Sequence, residues 1–78
     1  MEFSIKINHP NEAGVISKIA NRYDGSIDIK SKDYHYVVDA KSMLGILSLD
    51  LINKVVVNCN DKDTFENLKE DLKEFAVK

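Results

Sequence analysis

The sequence predicts an α+β domain: one antiparallel sheet with helices packed on a single face. Three observations carry this expectation. Residues 2–8, "EFSIKIN", alternate apolar and polar with period two, the mark of a strand buried on one side only. Near the end, "DKDTFENLKEDLKEFAVK" places Phe65, Leu68, Leu72 and Phe75 at steps of three and four, one face of a helix. Between them, short strand-like and helix-like stretches interleave to give the order β-α-β-β-α-β-α, and strands with one polar face need cover on the other face only.

In the first strand Phe3, Ile5 and Ile7 face inward while Ser4 and Lys6 face water. Pro10 holds His9 extended and ends the strand. Asn11 is the expected cap of the first helix, with Glu12 in its first turn and Val15, Ile16, Ile19, Ala20 and Tyr23 on its apolar face. Asp24-Gly25 is the expected end of that helix, Gly25 being suited to a left-handed cap. Ile27 and Ile29 open a second strand, Ser31, Lys32 and Asp33 suit a turn, and "YHYVV", residues 34–38, has the aromatic and β-branched content of a third. Asn53 to Cys59 is the fourth. In the last helix, Asp63 with Glu66 fits a capping box, and Glu66 and Glu70 precede Lys69 and Lys73 on the wet side.

A chain of 78 residues accommodates one domain, 1–78. A domain of that size buries only about 60% of the surface its unfolded chain exposes, so its stability is modest. No segment nears the ~20 apolar residues that cross a bilayer. The first residues lack a basic stretch followed by an apolar block, so no secretory signal is expected and the setting is cytoplasmic. Cys59, the only cysteine, lies in a strand pattern and reads as a buried, inert thiol in a reducing compartment. The net charge of −2, with lysines scattered among acids, argues against a nucleic-acid partner. His9, His35 and Cys59 lack zinc-ligand spacing, and neither a Gly-rich phosphate loop nor a nucleophile–base–orienter set is visible. No metal, cofactor or enzymatic activity is therefore expected, and His35 reads as an exposed residue of a hairpin strand.

The stretch "VVDAKSMLGILSLDL" has a different character. Ser42 is a good N-cap, and about two helical turns reach Asp50. Ile46 and Leu49 fall on one arc of this helix; Met43, Leu44 and Leu47 fall on the neighbouring arc. A short helix lying on a sheet cannot bury both arcs. Either the second arc is an exposed contact surface, or the helix is tucked beneath a neighbour. A phosphate on Ser42 would meet the unpaired N–H groups of a helix start and would place close to two negative charges beside that arc.

"VDAKSMLGILSLDL" resembles the central helix of HPr, the small histidine phosphocarrier of the bacterial sugar phosphotransferase system. Ala-Lys-Ser before an apolar, Gly-containing helix, the later Ser-Leu, and the β-α-β-β-α-β-α order over essentially the whole chain carry the resemblance. It implies an open-faced β-sandwich: four antiparallel strands in order 1-4-2-3, with three helices on one face. It implies regulatory phosphorylation of Ser42 by an ATP-dependent serine kinase/phosphorylase of the HPr type. Met43, Leu44 and Leu47, with Lys41 beside them, become the partner-docking surface. Enzyme I, sugar-specific phosphotransferase components and a transcriptional regulator are the implied partners, and carbon catabolite regulation the implied role.

The histidine loop departs from the family pattern, roughly Gly-Leu/Ile-His-Ala/Thr-Arg-Pro; this chain has the shorter "NHPNEAGVIS". Counting back from the second strand puts His9 at the phosphoacceptor position, with Asn11 and Glu12 in place of Arg and Pro. Matching Pro10-Asn11 to a Pro/Lys-Asn that precedes the motif instead puts the active histidine in a deletion. An arginine would clamp phosphate through two hydrogen bonds, whereas Glu12 brings a like charge; at about 4–6 Å and an effective dielectric near 20 such charges repel by several kcal/mol. Three functions follow: a regulatory module resembling the catabolite-repression paralogue of HPr, a divergent phosphocarrier acting through His9, or an unphosphorylated binding domain, monomeric or weakly dimeric through Met43–Leu47.

Overall fold

Ile5, Ile27, Ile29, Val55, Val57 and Cys59 sit opposite one another across strand pairs, so all six turn to one side of a sheet and are buried there. The computed structural model describes residues 1–33, 35–49 and 54–77. Its elements are β1 (Glu2–Ile5), α1 (Asn11–Ala20), β2 (Ile27–Ser31), β3 (Val37–Asp39), α2 (Met43–Leu47), β4 (Val55–Cys59), α3 (Lys62–Asp71) and a 3-10 turn, Lys73–Phe75. The described strands form an antiparallel sheet in the order β1-β4-β2-β3, and the three helices cover one face of it. The open-faced α+β architecture expected from the alternating strands is the one observed.

The covered face holds a single core. Ala13, Ile16, Ile19 and Ala20 of α1, Ile46 of α2, and Phe65, Leu68, Leu72 and Phe75 from α3 onward meet the strand residues there. Phe65 also meets Phe3 edge to face, with ring centroids 5.5 Å apart. The opposite face of the sheet is polar or half-exposed. On it Lys30 and Glu2 form a 3.2 Å ion pair across β4.

Several element boundaries differ from expectation, each for a local reason. β1 pairs with β4 only as far as Ile5; beyond it the Lys6 amide donates to the Phe75 carbonyl, and Ile7 is buried outside the strand. α1 stops at Ala20 rather than at Asp24-Gly25, because Arg22 and Tyr23 donate to carbonyls three residues back and tighten the turn. Gly25 does take a left-handed φ of 87°, but in the loop that follows. Val15, expected in the core, is 46% exposed, and Ser17 takes the inward position. β3 comprises Val37–Asp39 instead of 34–38: His35 and Tyr36 lie in the preceding turn, and Tyr34 is outside the described residues. The expected limits at Asp50 and Asn53 also lie outside them. α3 is capped two residues earlier than expected, by Asp61, whose carboxylate accepts from the Thr64 amide at 2.9 Å and the Thr64 hydroxyl at 2.7 Å. The Asp63–Glu66 capping box is thereby displaced, while the Phe65–Leu68–Leu72–Phe75 stripe is buried throughout.

Candidate functional site

α2 begins where Ser42 leaves helical geometry. Its φ of −103° and ψ of 110° are extended, and its Oγ accepts from the Gly45 amide at 3.1 Å, closing the first turn. Gly45 is small because two neighbours crowd it: a Cβ there would stand 3.3 Å from Ser42 Oγ and 3.3 Å from Val38 Cβ on β3. Ile46 and Leu49 point into the core. The other arc does not, for Met43 is 47%, Leu44 75% and Leu47 37% exposed. Burying such side chains against a partner releases about 25 cal/mol for each Å² of apolar surface removed from water. Lys41, half-exposed, stands next to them in the chain.

α1 runs beside α2, close enough that a Cβ on Gly14 would lie 3.2 Å from Met43 Sδ. Exposed Val15 follows Gly14 on this helix. The start of α1 therefore lies one turn from the apolar arc of α2, and His9, exposed, stands two residues before it.

The start of α1 is built differently from the expected Asn11 cap. Asn11 is the first helical residue, Pro10 before it is already helical at φ −57° and ψ −32°, and no side chain caps from that position. Glu12 does the capping in reverse. Its Oε1 accepts from the Asn8 amide at 2.6 Å and the His9 amide at 3.1 Å. The carboxylate thus occupies the backbone amides of the histidine and of the residue before it, and it places a negative charge there.

His35 is exposed and 3.1 Å from an Asp33 carboxylate oxygen through Nδ1. Asp33 organises this turn: the Ser31 hydroxyl, the His35 amide and the His35 ring together hold its carboxyl below the usual range. No other expected site residue joins it. Cys59 is a buried free thiol whose Sγ donates to the Asp61 carbonyl at 3.6 Å.

Two residues of the site region escaped the sequence reading. Ser17 Oγ donates to the Lys41 carbonyl at 2.8 Å, and Asn21 Nδ2 donates to the same oxygen at 3.0 Å. From the other side the Asp39 carboxylate accepts from the Lys41 amide at 2.9 Å. The signal for Ser17 was its place on the buried stripe, one turn after Ala13; only the partner, 24 residues away in sequence, was out of reach.

Residues 7–76 match the family described as PTS-HPr, PTS HPr component phosphorylation site. Among solved structures, the chain is similar to that of HPr-C-His from Thermoanaerobacter tengcongensis, at 25% identity and a TM-score of 0.71 over 95% of this chain and 91% of that one. It shares its fold with the phosphocarrier protein HPr from Bacillus anthracis str. Ames, at 20% identity and a TM-score of 0.59 over 91% of this chain and 94% of that one. No curated protein matches it.

Proposed function

This chain belongs to the HPr family of the phosphotransferase system, and from that premise we propose that it is a regulatory module: a docking helix with a phosphorylatable Ser42, joined to a histidine loop impaired for phosphotransfer. Members of the family are phosphocarriers rather than catalysts, and they interact with enzyme I and sugar-specific components. One observation carries the proposal. The hydroxyl of Ser42 opens the helix whose Met43, Leu44 and Leu47 are turned to water, so a single surface offers both an acceptor oxygen and an apolar grip.

The step is a phosphoryl transfer. A bond forms between Ser42 Oγ and the γ-phosphorus of ATP, the bridging bond to the β-phosphate breaks, ADP leaves, and the hydroxyl proton passes to a base on the kinase. The product places close to two negative charges next to the Met43–Leu44–Leu47 arc. A partner that reads this arc through apolar contact then meets a charged rim, and Lys41 becomes the adjacent counter-charge. The proposed partners are a serine kinase/phosphorylase of the HPr type and a regulator that distinguishes the two states. No helix of the described residues is long and apolar enough to cross a membrane, and the proposed setting is the cytoplasm.

The experiment is intact mass after incubation with ATP and such a kinase. A gain of one acid-stable phosphate, absent in Ser42→Ala, is expected. A protein left unmodified beside a fully phosphorylated HPr control would sink the proposal.

A second reading, a divergent phosphocarrier acting through His9, is favoured by one feature. His9 is exposed at the end of α1 that adjoins Met43, so a phosphoryl group there would share the docking surface. Glu12 weighs against it, because its charge sits where the transferred anion would gather. Enzyme I with phosphoenolpyruvate would give an acid-labile adduct that His9→Gln abolishes; labelling retained in that variant excludes His9.

A further inference from the structure

The buried face of α1 is apolar except at Ser17, which is 7% exposed. A hydroxyl in that position is costly unless it is paired. Ser17 reaches across to the Lys41 carbonyl, and Asn21, one turn later, brings a second donor to the same oxygen while also donating to the Ser17 carbonyl at 2.8 Å. The Lys41 carbonyl and the Ser42 amide belong to one peptide plane. That amide donates to the Asp39 carbonyl at 3.0 Å. The plane immediately before Ser42 is therefore gripped at both polar ends, by α1 on one side and by β3 on the other. One donor would satisfy the carbonyl; two, from different side chains, also fix its direction.

We propose that Ser17 and Asn21 are positioning residues for Ser42: by clamping the Lys41 carbonyl they hold the serine hydroxyl in one orientation for a modifying enzyme. The proposal rests on the reading of Ser42 as a phosphoacceptor, and it adds residues that touch neither phosphate nor partner. Phosphoryl transfer is sensitive to the placement of the attacking oxygen, and misplacement by about 1 Å costs up to ~100-fold in rate. Docking through Met43, Leu44 and Leu47 does not depend on the clamp. Loosening it therefore lowers kcat and leaves KM in place.

The test uses the full chain with three substitutions. Ser17→Val and Ser17→Thr each put a second heavy atom on Cβ and match each other in shape, so they differ only in the hydroxyl that Thr keeps, and Asn21→Ala removes the second donor at an exposed position. Kinetics of Ser42 phosphorylation by the ATP-dependent kinase are measured beside amide hydrogen exchange at Gly45, whose N–H is held by Ser42, with Val57 of β4 as the internal reference. In Ser17→Val and Asn21→Ala, kcat falls by about tenfold with KM within about twofold, and Gly45 exchange quickens by about tenfold relative to Val57. Ser17→Thr restores both. An unchanged kcat in folded Asn21→Ala, or a loss as deep in Ser17→Thr as in Ser17→Val, overturns the proposal. If the wild-type chain is no substrate at all, the Ser42 reading fails; unchanged Gly45 exchange would then refute the clamp as well, and selective quickening would uphold it.

Discussion

The starts of α1 and α2 are neighbours, each carries one of the two phosphoacceptors proposed above, and they are finished in opposite ways. At α2 the finishing group is the hydroxyl of Ser42 itself, uncharged and bound to a single amide of its own helix. At α1 it is the carboxylate of Glu12, which fills the amides of Asn8 and His9. A neutral cap leaves its helix start able to accept an anion, whereas an ionised cap has already used the favourable field. On the reading proposed above, the same backbone physics favours phosphate at one site and opposes it at the other, a few residues of helix away. α3 offers a third case, an acidic cap from Asp61.

The largest expected effect breaks the comparison on the α2 side. Ser42→Ala removes the proposed acceptor, so labelling by ATP and the serine kinase is expected to fall to background. The same change removes the cap and costs about 1 kcal/mol of stability, measured as a lower urea midpoint at unchanged slope. Next in size is Leu44→Ala. Its side chain is three-quarters exposed, so the fold loses no more than about 0.5 kcal/mol. The kinase nonetheless loses an anchor, and KM rises by about thirtyfold if Leu44 ranks as a hot spot of about 2 kcal/mol. The buried control Leu68→Ala behaves inversely, losing about 2–5 kcal/mol of stability with no change in KM per folded molecule.

The α1 side is tested by Glu12→Gln. The amide keeps an oxygen that accepts from Asn8 and His9 but removes the charge. If the carboxylate is what opposes a phosphohistidine, acid-labile labelling of His9 by enzyme I and phosphoenolpyruvate rises by about tenfold, the equivalent of ~1.4 kcal/mol of relieved repulsion. Equal, absent labelling in both proteins would place the impairment elsewhere in the loop, in the missing arginine first.

The legible part of this molecule was the part written in short-range patterns. Period two in the strands and the three-four steps of Phe65, Leu68, Leu72 and Phe75 report burial directly, and the two arcs of α2 separate on the helical wheel. Choices between near-equivalent local groups were not legible. Asp61 and Asp63 are both able to cap α3, and what decides is Thr64, whose amide and hydroxyl together bind Asp61. Val15 and Ser17 invert the usual ranking: the helix turns Val15 to solvent and Ser17 inward, where its hydroxyl finds the Lys41 carbonyl. That carbonyl arrives from another element, and no window of the chain contains both ends of the bond. The Glu12 cap was half legible: its place in the first turn was plain, but not that it would reach back over the histidine, because Pro10 enters helical geometry earlier than a capping Asn11 allows.

The smallest expected effect separates the charged from the neutral cap by pH. The Asp61 carboxyl is held below its ordinary range, first by the Thr64 hydroxyl and then by the Thr64 amide. A depressed pKa in the folded state means that the ionised cap stabilises above the unfolded value of about 3.9 and that the contribution disappears as pH falls through the folded value. Asp33 titrates in the same sense, through the Ser31 hydroxyl and the His35 amide. Asp61→Asn keeps a competent cap without a titrating group. Its urea midpoint should therefore fall less than that of the wild type when the pH is lowered from about 6 to about 3. Ser42→Ala has no titrating group to lose, so its destabilisation should be the same at both pH values. A pH-dependent Ser42→Ala effect would mean that the α2 start senses a nearby charge, and the contrast between a neutral and a filled helix start would no longer hold.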